Sequence, residues 1–182
     1  MIKYFAFIPN LLSIIRIGLV YPILNNIYLL NYKISLIIFV IASITDAMDG
    51  YLARKLNWQS ELGKILDPVA DKLLLSGTIF VLWLNDLIPF YIFFILITRD
   101  IIILLGAAFQ MTLTNSMAPY PNLLGKFTTI ILIVYIAIIL LVSFLNQETN
   151  LLILEFFISC IAIFSLVTYA LSWIKHVRSL ND

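Results

Sequence analysis

The sequence predicts an all-α integral membrane protein, a bundle of six transmembrane helices forming one domain over residues 1–182. Three observations predict this. Of the 182 residues, 63% are hydrophobic and 12% charged, whereas a soluble domain carries roughly 45–50% apolar and about 25% charged residues. The apolar residues fall into six stretches, each near the ~20 residues a helix needs to cross ~30 Å of hydrocarbon. Short polar breaks part most of them: NYK at 31, LNDLIP at 84 and NQETN at 146.

The first span is expected over residues 10–30. The segment before it, MIKYFAF, lacks a small-residue cleavage site and is not read as a cleaved signal. With SWIKHVRSL near the other end of the chain, it supplies aromatic and basic residues suited to headgroup level. The second span, 34–56, runs from LIIFVIASIT straight into Asp46 and Asp49 without a turn signal. The third, 66–85, opens on Asp67 and Asp71. The fourth, 88–109, holds Pro89 in its opening turn and Arg99 well inside it. The fifth, 124–145, follows Pro121 and opens on GKFTT, and the sixth covers 151–173, with Glu155 expected at the interface. The single cysteine, Cys160, excludes an internal disulfide and reads as a small buried hydrophobe. A net charge of +1 with no basic patch gives no nucleic-acid partner.

Six spans put both termini on one side. That side holds Lys3, Arg54, Lys55, Lys64, Lys126, Lys175 and Arg178, while the opposite loops hold Lys33 beside Asp86 and Glu148. The excess of Lys and Arg marks the cytosolic face, so the termini and the 54–64 loop are expected there.

Residues 46 to 72 contain nine charged side chains: Asp46, Asp49, Arg54, Lys55, Glu61, Lys64, Asp67, Asp71 and Lys72. Positions three, four and seven apart share a helix face. Asp46, Asp49, Gly50 and Ala53 therefore line one stripe of the second span, with Arg54 close to it. Asp67 and Asp71 are a turn apart on the next helix. A short connection lets the two helices lie side by side, with four carboxylates converging between them. Acids inside a span cost about 2.5–3.5 kcal/mol each on insertion scales. Clustered carboxylates also repel and raise one another's pKa. Hard divalent cations relieve both problems, and a pair of them bridged by carboxylates clamps phosphoryl groups. The small residues Gly50, Ala53 and Gly63 leave room for a ligand against backbone, although such residues also serve close helix packing.

The pattern D-x2-D-G-x2-A-R-x8-G-x3-D-x3-D resembles the signature of the CDP-alcohol phosphatidyltransferases. It is met by Asp46, Asp49, Gly50, Ala53, Arg54, Gly63, Asp67 and Asp71. IPNLLSIIRIGLVYP at 8–22 and LDPVADKLL at 66–74 resemble the phosphatidylglycerophosphate synthase and cardiolipin synthase branches of that family. The resemblance implies that the four aspartates hold two divalent metal ions, Mg2+ or alternatively Mn2+. It implies CDP-diacylglycerol as donor, with Asp46, Asp49, Gly50, Ala53, Arg54 and Gly63 binding its CDP part. Asp71 is implied as the general base that activates an acceptor hydroxyl, with release of CMP. The lipid bilayer, a bacterial-type cytoplasmic membrane and a homodimer belong to the same expectation.

For the acceptor, the phosphatidylglycerophosphate synthase branch implies glycerol 3-phosphate, with Arg99, Lys126 and Arg16 as its binding residues. Asn10, Ser13 and Lys72 are further candidates for supporting hydrogen bonds. TRDIIILLGAAF at 98–109 keeps Arg99, but Asp100 stands for that branch's Glu and Ala107 for its second arginine. In GKFTT, Lys126 is kept and Thr128 stands for the second lysine. The alternative acceptor, phosphatidylglycerol, follows from RDIIILLG with Gly106, which resembles the cardiolipin synthase branch. An ion transporter would scatter its acids over several spans, often in repeated halves. A non-catalytic scaffold has no need of the complete signature. Both are set behind the enzyme.

Overall fold

The computed structural model describes the backbone of residues 7–55, 61–114, 123–147 and 149–181, and the side chains of 11–48, 66–67, 69–106, 125–147 and 149–172. Among the described residues six helices follow in order: α1 (Phe7–Tyr28), α2 (Tyr32–Lys55), α3 (Glu61–Leu84), α4 (Phe90–Thr114), α5 (Leu123–Phe144) and α6 (Leu152–Asn181). They match the six apolar stretches one for one. α3 starts earlier than expected, which puts Gly63 on the helix that carries Asp67 and Asp71. α6 runs on through the basic segment after Ser172.

Sequences this rich in isoleucine would suit strands in water. In hydrocarbon a single segment satisfies its backbone only as a helix. The hydroxyls follow the same rule, bonding carbonyls one turn back: Ser43 to Phe39, Thr78 to Leu74, Ser159 to Glu155. Among the described residues, three helices carry a window long and apolar enough to cross a membrane: Leu11–Tyr28, Gly125–Phe144 and Leu152–Ser172. α3 is not among them, since Asp67, Asp71 and Lys72 crowd its first turns. Large apolar side chains cover the outside, Ile153, Phe156 and Phe164 on α6 among them. Cys160 also lies on this exposed surface rather than in the core. The sequence does not separate the two because exposed and core positions of α6 are equally apolar.

Three helices end alike. The amides of Asn31, Leu87 and Gln147 reach back to the carbonyls of Asn26, Leu82 and Val142, while Leu30, Asp86 and Asn146 take positive φ angles of 62°, 55° and 50°. This is the Schellman arrangement, which usually places glycine at the left-handed residue. Pro89 accepts the amides of Ile92 and Phe93 in the opening turn of α4, as its position in the sequence predicts; Pro121 lies outside the described residues.

The chain divides into two compact units. One comprises Met1–Ile88 with Tyr135–Thr149, the other Pro89–Val134 with Asn150–Asp182. In the first, α1 packs on both α2 and α3. Ser35 of α2 donates to the Ile23 carbonyl, and Asn85, just after α3, donates to the Ile27 carbonyl at 2.7 Å. Ile23, Ile27, Phe39, Leu75 and Ile79 are buried in this unit's core. Gly77 lets α3 approach α1, because a Cβ there would stand 3.2 Å from Leu24. In the second unit α4 packs on α6. Tyr91 donates to Glu155 at 2.8 Å and Tyr169 donates to the Ile103 carbonyl. Glu155 is therefore buried against α4. A phenol one helix away, invisible to a reading of α6 alone, accommodates its carboxylate.

Candidate active site

α1 organises the acidic cluster. Ser13 and Arg16 lie three residues apart, hence on one face, and both are buried. The Arg16 guanidinium pairs with Asp46 of α2 at 2.5 Å. The Ser13 hydroxyl donates to Asp67 of α3. Arg16 is 1% exposed and Asp46 34%, so the ion pair has a dry cationic end and a wetter anionic end. A buried guanidinium keeps its charge and needs an acidic partner, and Asp46 is that partner.

Two of the four signature aspartates, from two helices, thus meet one face of α1. Asp71 follows one turn after Asp67 on α3, half-buried. The side chains of Asp49, Gly50, Ala53, Arg54 and Gly63 lie outside the described residues, as does that of Asn10. Among the described residues no group of three or more His, Cys, Asp or Glu side chains is close enough to hold a metal ion. The donor chemistry nonetheless suits one class of ion. Carboxylate oxygens from Asp46, Asp67 and Asp71 are hard ligands, preferred by Mg2+ and Mn2+ over soft metals.

Spacing alone does not connect Ser13 and Arg16 to the aspartates, and the family resemblance assigns Arg16 to the acceptor. The structure places Arg16 on Asp46. A signal was present. Asn10, Ser13 and Arg16 recur every three residues in an otherwise apolar segment, a polar stripe that must face something other than lipid.

The second unit holds another buried guanidinium. Arg99, 4% exposed, donates to its neighbour Asp100 at 2.6 Å and to Ser165 of α6 at 3.2 Å. Gly125 of α5 lies against it: a Cβ there would stand 3.7 Å from Nη2. Arg99 is thereby brought to the glycine that precedes Lys126, which is itself exposed. The Nε of Arg99 is buried and has no hydrogen-bond partner among the described residues. Thr128, the residue in place of a second lysine, is fully buried, a position where a lysine would bury its charge. The side chain of Ala107 lies outside the described residues.

Comparison with known proteins agrees with the signature. The profile of the family described as CDP-alcohol phosphatidyltransferase matches residues 6–176. A protein of Aquifex aeolicus named CDP-diacylglycerol–glycerol-3-phosphate 3-phosphatidyltransferase is 38% identical over 179 residues, 93% of each chain. A Bacillus subtilis protein of the same name is 40% identical over 105 residues, 58% of this chain and 53% of that one. The cardiolipin synthase (CMP-forming) of Rattus norvegicus is 40% identical over 124 residues, 66% of this chain but 39% of the rat protein.

Proposed function

Since the chain belongs to the CDP-alcohol phosphatidyltransferase family, we propose that it transfers the phosphatidyl group of CDP-diacylglycerol to glycerol 3-phosphate and releases CMP. The observation that carries the acceptor is the Aquifex relative, named for glycerol 3-phosphate and matched over 93% of both chains.

The residues divide the work. Gly50, Ala53, Arg54 and Gly63 take the cytidine and its diphosphate. Asp46, Asp49, Asp67 and Asp71 would hold two divalent ions, Mg2+ or Mn2+, which neutralise the diphosphate and polarise the phosphorus under attack. Asp71 accepts the proton of the acceptor hydroxyl. That oxygen bonds to the lipid-side phosphorus, and the phosphorus–oxygen bond to CMP breaks, CMP keeping the bridging oxygen. Arg99 and Lys126 are assigned to the acceptor phosphate. The dry surroundings of Arg99 support this, since a charge-assisted bond gains strength away from water. Arg16 shares that assignment on sequence, but its pair with Asp46 favours a place beside the aspartates.

We place all six helices across a bacterial-type cytoplasmic membrane as one functional domain, with the termini and the aspartates on the cytosolic side. The Lys and Arg asymmetry supports this orientation, and the three apolar spans and exposed apolar surface support insertion. The family resemblance adds a homodimer.

A second reading has phosphatidylglycerol as acceptor. The buried Thr128 favours it by withdrawing one cation from a pocket for a dianionic phosphate, and the rat cardiolipin synthase aligns over two thirds of this chain. Offering the purified protein both acceptors in parallel, with CDP-diacylglycerol and Mg2+, tests the choice. Phosphatidylglycerophosphate is the expected lipid product, and cardiolipin formed instead would transfer the assignment to the second reading.

A further inference from the structure

We propose that Arg16 is a built-in competitor for the divalent site, a fixed cation on Asp46 that weakens metal loading until the donor diphosphate arrives. The inference rests on the reading that Asp46 is a metal ligand. Its basis is an asymmetry in how α1 meets the two aspartates. Asp67 takes a neutral donor, the Ser13 hydroxyl. Asp46 takes a full positive charge, the Arg16 guanidinium at 2.5 Å. Arg16 is 1% exposed, and arginine does not lose its proton in proteins. Its charge therefore stays near Asp46 and repels any divalent ion bound there, the more strongly because little water screens it. A donor diphosphate arriving at the Asp46 end of the pair, which is 34% exposed, brings negative charge close to the guanidinium. That charge offsets the repulsion of Arg16, and a divalent ion on Asp46 is held more tightly. Metal and donor should load cooperatively, through one residue of α1.

The test measures Mn2+ binding to the full chain in lipid nanodiscs by electron paramagnetic resonance, with and without CDP-diacylglycerol. Without donor, Arg16→Gln and Arg16→Met should bind Mn2+ about tenfold more tightly than the wild type, inside the ~5–150-fold span usual for coupled sites. Ser13→Ala, which removes no charge, should not tighten binding. Donor should tighten Mn2+ binding at least about tenfold in the wild type and by clearly less in the two Arg16 variants. Unchanged or weaker Mn2+ binding in folded Arg16 variants would overturn the proposal, because a purely structural arginine predicts a loss. If neither variant folds, absence of the donor effect in the wild type overturns it just as well. Asp46→Asn separates the premises. Binding as tight as wild type would remove Asp46 from the ligands and the inference with it. Weakened binding there, without tightening in Arg16→Gln, would sink the Arg16 proposal alone.

Discussion

Each buried guanidinium described here meets an aspartate, but the two pairs differ in reach. Arg99 pairs with the residue beside it; Arg16 pairs across helices with Asp46. That difference sets what the sequence could disclose. The spacing of Asp46, Asp49, Asp67 and Asp71 is local, and helical geometry turns it into faces without a tertiary structure. The partners of those aspartates are distant, Ser13 lying 54 positions before Asp67, and no periodicity links them. The chain was also legible at Arg99, since an arginine deep in a span requires a partner, yet its bond to Ser165 of α6 was not. If Arg99 holds the acceptor phosphate, Arg99→Gln should raise the KM for glycerol 3-phosphate about tenfold or more, the equivalent of one charge-assisted hydrogen bond of roughly 1.5–3 kcal/mol. Steady-state kinetics over acceptor concentration measures this. An unchanged KM with lowered thermal stability would reduce Arg99 to a tie between α4 and α6.

Helices were the most legible feature, because apolar stretches of about 20 residues suit a segment that satisfies its own backbone. Their ends were less so. Leu30, Asp86 and Asn146 occupy a left-handed position usually given to glycine, and a leucine carries no signal for it. The left-handed conformation costs a side chain about 1–2 kcal/mol, and glycine gives back part of that gain through its freer unfolded chain, roughly 0.5–1 kcal/mol. Leu30 is 62% exposed and loses little packing. Leu30→Gly should therefore stabilise the protein by about 0.5–1 kcal/mol, seen as a higher melting temperature in detergent; a lower one would show that the exposed leucine is held by its surroundings. Gly106 makes the opposite case. A Cβ there would meet the Tyr169 ring at 3.0 Å and its hydroxyl at 3.1 Å, so a larger residue must push aside the ring that bonds the Ile103 carbonyl. Gly106→Leu should cost about 1–3 kcal/mol, and Tyr169→Ala introduced with it should recover much of the loss. Additive losses in that double-mutant cycle would mean that the two residues do not share the contact.

For the molecule as a whole, composition disclosed the long apolar helices and the signature disclosed the family. The division into two units was not legible: α5 gives Leu123–Val134 to one and Tyr135–Phe144 to the other, although the sequence around that boundary, residues 130–142, is apolar throughout. Orientation is predicted from the Lys and Arg bias alone. In a Cys160→Ser background, Thr149→Cys should react with a membrane-impermeant maleimide added to intact cells, and Lys3→Cys only after permeabilisation; the reverse pattern would invert the protein. Metal-dependent phosphatidyl transfer by aspartates of α2 and α3, braced by α1, is the reaction proposed. Release of labelled CMP from CDP-diacylglycerol in the presence of glycerol 3-phosphate tests it most directly. The wild type should release CMP with added Mg2+ and cease when the metal is chelated, and Asp71→Asn should fall by about 10²–10⁴-fold while still binding the donor. CMP release that persists in chelator, or at full rate in Asp71→Asn, would contradict it.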